Sequence, residues 1–134
     1  MEPQPAKRPK FNDPSIHHDL PVGWRFGRAD KHGPWAWSNH SCETLLETIA
    51  KLADLESMRE DEWRQRGCHP VPLEQLCKDA HNRLRELDQD DLDELMSFRL
   101  SGAERVWCIR DRNVMRVLWW DPQHEVCPSL LKNT

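Results

Sequence analysis

Hydrophobic residues in the middle of the chain recur at the three- and four-residue spacing of amphipathic helices. The first stripe consists of Leu45, Ile49, Leu52 and Leu55. Ser41 precedes it as a candidate N-cap and Gly67 follows it, which predicts a helix over 42–65. The second stripe consists of Leu73, Leu76, Ala80, Leu84 and Leu87. It begins beside Pro72 and predicts a helix over 72–87, so we expect a two-helix hairpin.

The periodicity changes in the last third of the chain, where β-branched and aromatic residues dominate. Segments 104–110 and 114–120 are joined by the polar residues 111–113, which predicts a β-hairpin. A preceding strand is expected over 98–100, and a last edge strand over 125–127. Leu92, Leu95 and Met96 suggest a short helical turn before these strands.

The N-terminal part divides into an arm and a first strand. Residues 1–22 are rich in proline and carry a short basic cluster at 6–10, so we expect a flexible arm. Aromatic and basic residues alternate over 23–28, which predicts a strand, and Trp35 and Trp37 suggest a second extended segment. The order of elements predicts an α+β fold over 23–134, in which the helical hairpin packs on one face of an antiparallel sheet of three to five strands.

Length and composition restrict the class of protein. The chain has 134 residues, which suits one domain, and no run of 18 apolar residues or signal peptide occurs in it. We therefore expect a soluble cytoplasmic protein without a membrane partner. The formal net charge of −4 argues against coating of nucleic acid by bulk charge. Charge is uneven, however, because residues 86–94 are strongly acidic whereas five arginines lie within 99–116.

Motifs for known cofactors are absent from the sequence. It contains no P-loop, no dinucleotide-binding glycine motif and no nucleophile elbow. The five cysteines have no C-x-x-C spacing, which favours small half-buried thiols in a reducing compartment over a zinc site. We therefore expect neither a metal nor an organic cofactor.

The arginine-bearing strands are the strongest candidates for chemistry. In the 104–110 strand, Arg105 and Trp107 share one face, and Arg116 lies in the middle of the next strand. Arginine can hold a phosphate, and His124 can transfer a proton near neutral pH, so the set suits RNA cleavage by a neighbouring 2′-OH. Trp107 and Trp120 are candidates for stacking on bases. The alternative is that the arginines are solvated or salt-bridged strand residues and the tryptophans pack in the core.

The C-terminal half resembles the RelE/ParE superfamily of toxin ribonucleases, and within it the YoeB-type and RelE-type branches. Residues 97–111 and 113–118, followed by His124, carry this resemblance. The family shows the same run of an arginine-bearing strand, a glycine turn, a strand with arginine before a hydrophobic and an aromatic residue, an acidic turn, a hydrophobic strand and a terminal His or Arg. Glu125 stands where the family often has a tyrosine.

The resemblance implies a RelE-like fold and a metal-independent endoribonuclease that acts on mRNA, at the ribosome, with an antitoxin protein as its partner. Arg105 would contact the phosphate and His124 would be the general acid. Arg99 and Arg116 would be supporting phosphate contacts. The alternative hypothesis is a non-catalytic module of a mobile-element or defence system that binds protein or nucleic acid.

Overall fold

The structure, a computed structural model, describes residues 20–128. The helices are α1 (Cys42–Glu56), α2 (Glu60–Gln65) and α3 (Lys78–Glu86), with short 3-10 turns at Trp37–Asn39 and Leu73–Gln75. The strands are β1 (Gly23–Arg25), β2 (His69–Pro72), β3 (Glu94–Ser101), β4 (Glu104–Asp111) and β5 (Val114–Asp121). The α+β class is therefore confirmed. Within the described residues, no helix has the length and apolar character that crossing a membrane requires.

The five strands form one mixed sheet in the order β1-β5-β4-β3-β2. Neighbours are antiparallel except β1, which runs parallel to β5 with Trp24 opposite Met115. The expectation of a purely antiparallel sheet is thus wrong. The reason is that β1 joins the edge of β5 from far away in sequence, and local turn signals do not specify that pairing.

Both faces of the sheet are buried. One hydrophobic cluster joins Leu52 of α1 and Trp63 of α2 to Val106 and Cys108 of β4. A second cluster joins Leu84 of α3 to Trp107 and Ile109 of the same strand, together with other side chains. The two predicted helical regions therefore lie on opposite faces of the sheet and form no hairpin with each other. The apolar runs in the central strands, buried without alternation, are the sequence feature that fits two covered faces.

The predicted start of the first helix is right, whereas its continuity to residue 65 and the start of the second helix are wrong. The Ser41 side chain accepts a hydrogen bond from the Thr44 amide, as expected of an N-cap. The first helical region breaks at residues 57–59 into α1 and α2. The second begins with the edge strand β2, which contains Pro70 and Pro72. Proline is compatible with an edge strand because only one side of that strand must supply ladder hydrogen bonds.

Other short segments also differ from expectation. The hairpin of β4 and β5 is confirmed, with Arg112 in its turn at φ +63°. Trp37 starts a 3-10 turn instead of a strand, and β3 already begins at Glu94, where a helical turn was expected. Residues 125–127 form a loop. Val22, which we assigned to the arm, is buried in the core, and the rest of the predicted arm up to residue 19 lies outside the described residues.

Candidate functional site

Three charged residues form a row across one end of the sheet. Arg99 of β3 lies opposite Arg105 of β4, and Arg105 lies opposite Asp121 of β5. The register places all three on the face that carries Trp107 and α3. The sheet thus holds two guanidinium groups side by side in neighbouring strands.

The two arginines lack carboxylate partners. Within residues 20–128, neither Arg99 nor Arg105 forms an ion pair with an acidic side chain. Arg105 instead donates through Nη1 to the carbonyl oxygens of Gly102, at 2.7 Å, and Glu104, at 3.2 Å. Burial and then the charge of Arg99 lower the pKa of Arg105, against opposing contributions from Asp121 and Cys68. The two guanidinium groups therefore form no ion pair within the described part of the chain, although the buried Asp121 lies beside Arg105 in the register of the sheet.

The backbone of Gly67 packs against the side chain of Arg99. The glycine has a φ of +100°, a region that side chains with a Cβ rarely adopt. A Cβ built there would lie only 3.2 Å from Cδ of Arg99, so the arginine stem runs directly over the glycine backbone. The turn before β2 thus packs against the aliphatic part of the Arg99 side chain.

Asp121 organises the loop that follows β5. Its carboxylate is fully buried and accepts three hydrogen bonds. The donors are the Trp107 indole at 3.0 Å and the amides of Glu125 at 2.8 Å and Val126 at 3.0 Å. Because the last two belong to the C-terminal loop, Asp121 determines where that loop lies against the sheet.

His124 lies within this anchored loop, and the charges of Arg105 and Arg99 act on its imidazole. Its backbone is left-handed, with φ at +57°. Burial and then the positive charge of Arg105 lower the pKa of His124, with smaller contributions in the same direction from Arg99 and His69, against an opposing one from Asp121. The lowered pKa favours the neutral form of the imidazole. We name Arg99, Arg105 and His124 the basic cluster.

Arg116 does not join the basic cluster. It lies opposite Ile109, four residues from Arg105 along β4, which is roughly 13 Å along the strand. Its guanidinium contacts Asp111 at 3.4 Å and its neighbour across the sheet is Arg25. The assignment of Arg116 to the same phosphate site is therefore not supported by the register of β5.

Trp107 and Trp120 are both buried, so neither is available to stack on a base. Trp107 is completely buried beneath the second hydrophobic cluster. Trp120 is 3% exposed on the opposite face and stacks on Trp37 with ring centroids 6.0 Å apart. Both indoles are enclosed because helices cover both faces of the sheet, so their predicted role in stacking on bases finds no support in the burial of these side chains.

The other arginines that face the core are paired. Arg110 donates to both carboxylate oxygens of Glu60, at 2.7 and 3.0 Å, and its guanidinium lies over the Trp63 ring. Hydrogen bonds from Arg110, opposed by burial, hold the pKa of Glu60 at about 2. Arg83 similarly binds Asp30. Unlike Arg83 and Arg110, Arg99 and Arg105 form no ion pair with a carboxylate within residues 20–128.

Two residues near the cluster were not identified from the sequence. Asp121 follows two tryptophans at the end of β5, and no local pattern in the sequence indicates that its carboxylate is buried. His69 lies opposite Ser97 on the same face, and no local pattern links it to a site that is remote in sequence. Among the described residues, no group of three or more His, Cys, Asp or Glu side chains is arranged to hold a metal.

The basic cluster can bind an oxyanion through the two guanidinium groups and can exchange a proton through His124. Comparisons of the chain with family models, with curated proteins and with solved structures found no match. Any assignment of function therefore depends on the chemistry of this site.

Proposed function

We propose that the chain binds single-stranded RNA through backbone phosphates held by Arg99 and Arg105. The observation that carries this proposal is the pair of neighbouring guanidinium groups without a carboxylate partner in residues 20–128. Like charges in directly opposed positions destabilise a sheet. A phosphate bound between Arg99 and Arg105 would offset this repulsion, since a guanidinium donates two parallel hydrogen bonds to such an anion.

The burial of the tryptophans defines what kind of binding to expect. Because Trp107 and Trp120 are enclosed in the core, recognition would depend on phosphates more than on bases. Phosphate contacts position a nucleic acid without reading its sequence, and they weaken as salt displaces them. We therefore expect little sequence preference and a clear dependence of affinity on salt concentration.

Replacement of either Arg99 or Arg105 by alanine is expected to weaken RNA binding by roughly 10- to 100-fold, since a hydrogen bond to a charged group contributes about 1.5–3 kcal/mol. Fluorescence anisotropy with a labelled single-stranded RNA at two salt concentrations measures both affinity and salt slope. Arg85→Ala is the matched control, because Arg85 is an exposed arginine of α3. Equal affinity of the Arg105→Ala variant and the wild type would contradict the proposal.

A second candidate function is metal-independent cleavage of the bound RNA, and the position of His124 beside Arg105 favours it. In this reaction the neutral imidazole takes the proton of the 2′-OH, whose oxygen attacks the adjacent phosphorus. The 5′-oxygen leaves and receives the proton, which gives a 2′,3′-cyclic phosphate and a 5′-OH. The lowered pKa of His124 suits this first step as a base, whereas the resemblance implied a general acid.

Under this second candidate the chain would be a toxin-like ribonuclease of the RelE type, acting on mRNA at the ribosome with an antitoxin protein as partner. The competing hypothesis is a module that binds RNA or protein without cleaving it. Arg105 serves both functions, so only His124 discriminates between them.

The His124→Ala variant is expected to lose at least about 100-fold in cleavage rate, the ordinary contribution of a positioned acid or base, while its RNA affinity changes by less than about 3-fold. End-labelled RNA separated on a denaturing gel, with chelator present throughout, reports the cleavage. His81→Ala on α3 is the control histidine. If the wild type leaves both free and ribosome-bound RNA intact, the non-catalytic alternative holds.

A further inference from the structure

Cys77 and Cys127 come together at the point where α3 meets the C-terminal loop. The amide of Cys77, at the N-cap of α3, donates to the carbonyl oxygen of Val126 at 2.8 Å. Standard backbone dimensions then place the two cysteine Cα atoms within roughly 7 Å of each other. Disulfides have Cα separations of about 4.4–6.8 Å, so the backbone needs little or no movement to allow one.

Side-chain placement also suits a bond between these two residues. Cys77 and Cys127 are both partly exposed, and both pack against the hydrophobic cluster that contains Trp107. Cys68 and Cys108 are buried in the cluster on the opposite face of the sheet, and Cys42 is exposed on α1. Fifty residues separate Cys77 from Cys127 in sequence, which explains why spacing alone did not indicate the pair.

We propose that Cys77 and Cys127 are a reversible redox pair that hydroperoxides oxidise to a disulfide. One thiol loses its proton, and the thiolate attacks hydrogen peroxide, breaks the O–O bond and becomes a sulfenic acid; the hydroxide that leaves takes up a proton and becomes water. The second thiol then attacks the sulfenic sulfur, so that the S–S bond forms and a second water leaves. The peroxide receives the two electrons that the thiols lose, and thiol–disulfide exchange with a cellular dithiol reverses the reaction.

The order of attack follows from the surroundings of Cys127. Burial, together with the nearby Cys77 and Asp121, raises the pKa of Cys127 and disfavours its thiolate. Because the thiolate is the reactive form, Cys127 is a slow attacking group and suits the resolving step, in which a thiol attacks the sulfenic sulfur.

The disulfide would tie α3 to the loop that carries His124. That loop is otherwise held by the hydrogen bonds of Asp121 and by the Cys77 amide. A covalent link holds His124 beside Arg105 and reduces the entropy lost when RNA binds. This consequence rests on the proposed RNA binding, whereas formation of the disulfide does not.

The bond itself is tested on the full chain in a Cys42→Ser background, which removes the exposed thiol. After hydrogen peroxide treatment, we expect the protein to lose the mass of two hydrogen atoms and to protect Cys77 and Cys127 from iodoacetamide. A non-reducing peptide map should show those two cysteines linked, and dithiothreitol should restore both thiols. Free alkylation of both residues after treatment, oxygen addition without a link, or a link to Cys68 or Cys108 would overturn the proposal.

The effect on the site is tested by anisotropy with the same labelled RNA. The oxidised protein is expected to bind roughly 2- to 10-fold more tightly than the reduced protein, and a Cys77→Ser variant should show no response to peroxide. An unchanged affinity in a protein with a verified disulfide would overturn the regulatory step alone. Failure of the reduced protein to bind RNA would instead count against the proposed function.

Discussion

Replacing Asp121 by alanine is expected to lower the free energy of unfolding by about 3–5 kcal/mol, because a buried donor without an acceptor costs about 1–3 kcal/mol. The substitution removes the acceptor of the Trp107 indole and of the Glu125 and Val126 amides. No other carboxylate of the described chain takes over these three donors. The loop that holds His124 would keep the hydrogen bonds from the Cys77 amide and the Trp35 indole, so we expect it to loosen together with the loss of stability.

Urea denaturation measures this loss, and Asp111→Ala is the control. Asp111 is a partly exposed carboxylate at the other end of β5's hairpin, with contacts of 3.3 and 3.4 Å to Arg112 and Arg116. An exposed ion pair of this kind contributes about 0–1 kcal/mol. Asp121→Asn keeps one carbonyl acceptor and should fall between alanine and the wild type. A loss below about 1 kcal/mol in Asp121→Ala would show that the carboxylate does not anchor the loop.

Asp30→Ala is expected to have a comparable effect, because Asp30 binds Trp119 of the same hydrophobic cluster. The Asp30 side chain is 1% exposed and receives Arg83 through Nε at 2.9 Å and Nη2 at 2.7 Å, and the Trp119 indole at 2.9 Å. Removal of one partner leaves the Arg83 guanidinium without its buried counter-ion, which destabilises proteins by about 3–5 kcal/mol. Glu86→Ala removes the exposed partner of Arg83 and should cost less than about 1 kcal/mol.

The acid dependence of unfolding checks the same network. Burial alone would raise the pKa of Asp30, but hydrogen bonds from Arg83, the His32 amide and Trp119 outweigh it and hold the value at about 2, against 3.8 for an ordinary aspartate. A depressed folded-state pKa gives stability that is present above the unfolded value and lost as pH falls through the folded one.

Between about pH 5 and about pH 2, the wild type should therefore lose on the order of 2 kcal/mol more than Asp30→Ala. Glu60, whose pKa is also about 2, contributes the same acid loss to both proteins and cancels in the comparison. Parallel pH profiles of the two proteins would mean that Asp30 is not the titrating group.

The arginines show how one residue type is divided between structure and function. Arg83 and Arg110 form ion pairs with the buried carboxylates of Asp30 and Glu60 and so have a structural role. Arg99 and Arg105 lie beside each other, and their mutual repulsion is not compensated by an ion pair within residues 20–128. The resemblance to toxin ribonucleases pointed to Arg105 from its place in a strand. The structure adds that Arg99 lies opposite Arg105 and that Asp121 anchors the loop that carries His124.

Local features were predicted well because neighbouring residues determine them. The cap at Ser41, the hairpin of β4 and β5 and the alternation of Arg105 and Trp107 against Val106 all follow from backbone geometry over a few residues. The helix over 72–87 failed at its start, since Leu73 and Leu76 also fit a strand end followed by a 3-10 turn. The spacing of a few apolar residues does not distinguish a helix from a strand. Pairing of residues 69–72 with β3 decides in favour of the strand here.

The amino-acid sequence by itself determined the α+β class, the C-terminal hairpin and the presence of unusual arginines in its strands. Only the tertiary structure decided which of those arginines stand together, because the register between strands separates Arg116 from Arg105 while it joins Arg99 to it. It also decided that α3 covers the second face, which buries Trp107. Pairing and burial arise between residues far apart in sequence, and their free energies depend on the whole assembled core, so no local pattern encodes them.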